Sequence, residues 1–165
     1  MDSTACRESL GALLSQEIAS LNELAGLLDQ EHALLVANDV TALEAAMEKR
    51  QLTLGRVLRL AEERRELCRA HGQENDAAGL ERLMKWCDPR GSLASRWADY
   101  ATATTRCRDS NLRNGALVAA RMRRVETLLN TLTGQPAEAT PATYGPKGAA
   151  AYNAPRSGRV LTTEA

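Results

Sequence analysis

Leu14, Leu21, Leu28 and Leu35 recur every seven residues, and no other feature restricts the fold of this chain as strongly. Between them, Leu10, Leu13, Ile18, Leu24, Leu27 and Leu34 fill the three- and four-residue spacings of a single helical face. The pattern holds from about Ser3 to Ala37, which predicts a helix roughly 50 Å long at 1.5 Å per residue. A helix with one long apolar stripe cannot bury that stripe alone, so it requires long neighbours in coiled-coil-like packing. The absence of Phe and an aromatic content of 3 % agree, because Leu, Ala and Val then carry the apolar content and suit helices better than sheets.

The stripe stops at Asn38-Asp39, and Thr41 with Glu44 three residues later has the form of a capping box for a second helix. A turn this short forces two long helices antiparallel. The second helix is expected to return along the first through Met47, Leu54, Val57, Leu58, Ala61 and Cys68, and to end at His71-Gly72. Leu80, Leu83, Met84 and Trp86 suit a short connecting helix, closed by the turn signal Asp88-Pro89-Arg90-Gly91. With Ser92 as N-cap, a longer heptad then runs through Leu93, Trp97, Tyr100, Thr104, Cys107, Asn111, Asn114, Val118, Val125, Leu128 and Leu132 to a stop at Gly134 with Pro136 beyond. The expected fold is all-α, an antiparallel coiled-coil-like bundle of long helices with a short connecting helix over residues 1–134.

Beyond Gly134 the composition turns to Ala, Thr, Pro and Gly, with Val160 and Leu161 as the large aliphatics. Such a segment cannot offset its own ordering entropy, so residues 135–165 are expected to form a flexible tail. Opposite charges balance at 21 each, which gives no global field to recruit nucleic acid or an anionic membrane. The balance hides an asymmetry. Residues 1–39 hold seven acids against Arg7, whereas residues 92–133 hold seven arginines against Asp99, Asp109 and Glu126. An acidic first helix beside a basic last one reconciles the two, and it assigns Arg121, Arg123 and Arg124 to a solvated or acid-facing surface rather than to nucleic acid.

Enzymatic chemistry has little to stand on. The sequence carries no Walker loop, dinucleotide fingerprint, zincin motif or nucleophile elbow. His32 and His71 sit at polar helix positions, and no Glu is followed three residues later by His, as a bundle di-metal site requires. Cys6, Cys68, Cys87 and Cys107 are too irregularly spaced for a zinc or thioredoxin motif and are expected to be reduced thiols. No signal peptide, membrane span, cofactor or metal is expected.

Asn111 and Asn114 fall at seam positions of the last helix, where a polar side chain is costly unless partnered. Gly115 beside them costs about 1 kcal/mol relative to Ala in a helix interior. Two explanations stand: register setting by buried Asn with close backbone approach at Gly115, or a hinge or partner site. Val118, Met122, Val125, Leu129 and Leu132 make one face of the same helix, which is either the protein's own core or a stripe offered to another helix.

Trp97, the Arg108-Asp109-Ser110-Asn111 segment with Asn114-Gly115, and the tail element Thr143-Tyr144-Gly145-Pro146-Lys147-Gly148 together resemble the FlgN-type flagellar export chaperones. Arg159-Val160-Leu161 and the Lys49, Leu52, Leu54 pattern of the second helix add to the likeness. The resemblance implies a non-enzymatic cytoplasmic chaperone for the hook-associated proteins FlgK and FlgL. The cargo's terminal helix would be received around Asn111, Asn114, Gly115, Val118, Met122, Val125, Leu129 and Leu132. It further implies that Tyr144, with Gly145, docks on the export gate protein FlhA. The rival reading is a structural coiled-coil protein that self-associates, as a homo-dimer, without an export role.

Overall fold

In the computed structural model, residues 2–134 are described, and four helices account for nearly all of them: α1 (Ser3–Ala37), α2 (Val40–Ala70), α3 (Ala77–Cys87) and α4 (Ala94–Thr133). The all-α expectation and the long-helix architecture are therefore met among the described residues. The chain divides into two compact units, Met1–Ala120 and Arg121–Ala165.

Capping explains where each helix of the first unit begins and ends. Asp2 accepts from the Ala5 amide and starts α1, and Asn38 ends it in the left-handed conformation (φ 59°). Asn is among the few side chains that enter that region readily. Asp39 then starts α2 by accepting from the Ala42 amide. The Thr41–Glu44 capping box is thus not used, because the Asp39 carboxylate already takes an orphan amide two residues earlier and the helix starts there. Gly72 follows α2 at φ +67°, a conformation that glycine adopts without strain. Asp76 caps α3 through the Gly79 amide. Ser92 is not the side-chain cap expected for α4. Asp88 takes the Leu93 amide at 2.6 Å and also accepts from the Ser92 hydroxyl, since two carboxylate oxygens satisfy both donors at once.

The core of the first unit has two parts. Cys6, Leu10 and Leu14 of α1 meet Cys68, Leu80, Leu83, Cys87 and Leu93 at one end, while Leu21, Leu24, Ala25 and Leu28 meet Ala103 and Cys107 further along. Fully burying one such leucine is worth about 2 kcal/mol. The first helix therefore packs as its heptad requires, but two of its seam positions are not apolar. Glu17 and Glu31 are both buried and pair with Arg64 and Arg50 of α2. The two pairs lie fourteen residues apart on each helix, so a single antiparallel register satisfies both.

That register shifts the expected inner face of α2. Ala46, Thr53, Leu60 and Cys68 are its buried residues, whereas Met47 and Leu58 are exposed. The physical reason is that Arg50, Thr53 and Arg64 must face the carboxylates of α1. Thr53 donates to Glu23 at 3.1 Å, and Arg56 donates to the same carboxylate at 2.8 Å. The acids of α1 thus divide between two partners: Glu17, Glu23 and Glu31 serve α2, and Asp29 serves α4.

Candidate functional site

Helix α4 runs parallel to α1 within the first unit, as two side-chain bonds show. The Cys107 thiol reaches the Leu21 carbonyl at 3.1 Å, and the Asn114 amide donates to the Leu28 carbonyl at 2.7 Å. The step between these bonds is seven residues on both helices. Tyr100 helps to fix the start of the seam, stacked on Trp97 with ring centroids 5.0 Å apart and lying under the Arg64 guanidinium.

The seam becomes progressively polar along α4. Leu93, Ala103 and Cys107 give way to buried Ser110 and Asn114. Asp29 accepts from Arg106, Ser110 and Arg113 at 2.9, 3.0 and 2.9 Å. The Arg106 hydrogen bond, followed by that of Ser110, holds its carboxyl below the usual range. Sequence reasoning did not single out Asp29, although a lone Asp among the leucines of α1 opposite a basic helix was the available signal. Asn114 also accepts from His32 Nδ1 at 3.0 Å. Glu31 lies in the same region, where burial pushes its carboxyl up against the pull of Arg50.

The expected site residues therefore separate by position. Asn114 is buried and doubly partnered, which is how a seam asparagine avoids its desolvation cost. Asn111 is exposed, and Ser110 takes the seam position expected for it, because the helix turns about 100° per residue and the Asn114 bond fixes its phase. Gly115 faces open space, so no close backbone approach explains it. Val118 in the first unit, and Met122, Val125, Leu129 and Leu132 in the second, are large apolar side chains with 40 to 83 % of their surface exposed. Leu128 is exposed beside them. Tyr144 and Gly145 lie outside the described residues.

An exposed run of Val, Met and Leu on a helix can exclude water against another apolar surface but has no group that moves a proton or attacks a bond. Arg106 and Arg113, on either side of Ser110, are committed to Asp29. No helix among the described residues is long and apolar enough to cross a membrane, and no described group of His, Cys, Asp or Glu has metal-site geometry. The chemistry this face offers is non-covalent association.

No curated protein and no solved structure matches the chain. The family model described as FlgN protein matches residues 1–151, a span that takes in every helix among the described residues, the Trp97 to Gly115 segment and Tyr144. The chain thus belongs to the FlgN family, a family of flagellar export chaperones.

Proposed function

We propose that the protein holds the terminal helical segments of FlgK and FlgL in the cytoplasm, on the apolar side chains of α4, and delivers them to FlhA. The observation that carries this reading is the exposure of Val118, Met122, Val125, Leu129 and Leu132, five large apolar residues at the spacing of one helical face. A coiled-coil terminus awaiting assembly carries a matching stripe, and helix-against-helix packing covers both. Each side chain taken from water contributes about 1.5–3 kcal/mol before the cost of association is subtracted, which suits a complex that must later come apart. In this reading residues 1–134 hold cargo, while residues 135–165, with Tyr144 and Gly145, serve the gate.

Calorimetric titration of the full chain with C-terminal segments of FlgK and FlgL tests the cargo assignment. Saturable binding near one-to-one is expected, and the absence of binding to either overturns it. Truncation after Gly134 should abolish FlhA binding and leave cargo binding intact. Intact FlhA binding by the truncated chain would overturn the docking role of Tyr144. In the rival reading a second copy of the chain covers the stripe, and light scattering would then show a stable dimer that binds no cargo.

A further inference from the structure

Glycine occurs inside the three long helices at Gly11 and Gly26 of α1, Gly55 of α2 and Gly115 of α4. Gly11 has a packing reason, since a Cβ there would crowd the Arg96 guanidinium, whereas a Cβ at Gly26, Gly55 or Gly115 would meet nothing within 4 Å. These last three differ in what holds the helix around them. Gly26 is flanked by buried Ala25 and Leu28. Gly55 lies between buried Thr53 and Leu60, and Arg56 beside it bonds to Glu23. Gly115 is anchored on one side only. Ahead of it, Ser110 and Asn114 are buried and bonded to Asp29, His32 and the Leu28 carbonyl. After it, no residue from 115 to 133 is buried, and the first compact unit ends at Ala120.

A helical segment that buries nothing rests on its own backbone hydrogen bonds and side-chain propensities, and glycine weakens an exposed helix interior more than any residue except proline. Without a Cβ it leaves helical backbone angles at little cost, and in open space water can take the N–H and C=O groups that an opened turn releases. We infer that Gly115 is a hinge in α4, about which the part carrying Met122, Val125, Leu129 and Leu132 changes direction while the part bonded to α1 stays in place. Hinges are a few positions that absorb the change in backbone angles, commonly small residues. Asn114 forms the fixed edge of this one, because its bonds to the Leu28 carbonyl and His32 end the buried seam one residue earlier. The same glycine chemistry gives no hinge at Gly26 or Gly55, where a bend would also pull out buried residues on both sides. The inference concerns the chain alone and does not rest on the cargo reading.

Spin labels placed across the glycine test it in the full chain. T105C/T127C puts labels at exposed positions on either side of Gly115, and K49C/E66C does the same for Gly55. Brief labelling spares the native cysteines, which are buried, and circular dichroism checks that each variant folds. Pulsed EPR should give a broad distance distribution across Gly115, with a component shorter than the straight-helix separation of roughly 33 Å, and a single narrow one across Gly55. G115A should reduce the shortened component about fivefold, while G55A should leave the narrow distribution as it is. A single narrow distribution across Gly115 in the otherwise unaltered helix overturns the hinge. A broad distribution that G115A leaves unchanged also overturns it, by showing that the bend lies elsewhere in α4. Equal breadth across Gly55 overturns it as well, because anchoring on one side would then make no difference.

Discussion

Single residues show how this protein tolerates polar groups and close approaches inside a helical core. An added Cβ at Gly79 would collide with the backbone carbonyl of Glu74, and backbone cannot swing aside as a side chain can. Gly79→Ala should therefore destabilise the protein by about 1–3 kcal/mol in urea denaturation. Asn114→Ala should cost a similar amount, on the order of 1–3 kcal/mol, because His32 Nδ1 loses its acceptor in a partly buried place. Burial, with Cys87 next in effect, pushes the Cys6 thiol up to about 12, and Cys68, Cys87 and Cys107 are also free, buried and raised. Alkylation of the native protein at neutral pH should be slow at all four and become fast only on unfolding. Rapid native labelling would contradict this packing.

The carboxylates predict a pH profile with two limbs of opposite sign. Asp29, held down chiefly by Arg106, and Asp88, held down chiefly by the Leu93 amide, contribute stability that is present above the ordinary aspartate value and lost as pH falls through their lowered values. Glu17 and Glu31, raised chiefly by burial, contribute stability that is fully present below the ordinary glutamate value and declines as pH rises through their raised values. Melting temperature should therefore peak between these limbs and fall on both sides. Asp29→Asn should flatten the acid limb, and Glu17→Gln the opposite one.

At the scale of elements, the sequence revealed helices more readily than faces. The limits of α1, the glycine after α2 and the presence of α3 follow from leucine spacing and turn chemistry, both local properties. The inner face of α2 was not legible in the same way. Counting apolar residues favours Met47 and Leu58, but the buried Glu17–Arg64 and Glu31–Arg50 pairs rotate the helix so that Ala46 and Leu60 face inward. Long-range pairing of charges overrides hydrophobic periodicity there, and no single helix discloses it. Ser110 displaces Asn111 from the seam for the same reason, since Asp29 and the Leu28 carbonyl set the phase of α4. A prediction follows for α4 itself. V125S/L129S removes two exposed apolar side chains, so it should change stability by no more than about 0.5 kcal/mol while weakening cargo binding at least tenfold. A large loss of stability would mean that these residues serve the protein's own core.

For the molecule as a whole, burial and exposure divide the work between holding the fold and holding a partner. Leu10, Leu14, Leu21, Leu24 and Leu28 of α1 are consumed internally. The large apolar residues on α4 from Val118 onward are exposed. The sequence showed the second set as a stripe but not whether it is core or surface, because a heptad reads alike in both cases; only the exposed areas distinguish them. Hydrogen–deuterium exchange on the full chain, with and without the C-terminal segment of FlgK, tests this division most directly. The account predicts slowed exchange over residues 118–132. Protection falling instead on residues 10–24, or an exchange pattern unchanged at saturating segment, would contradict it.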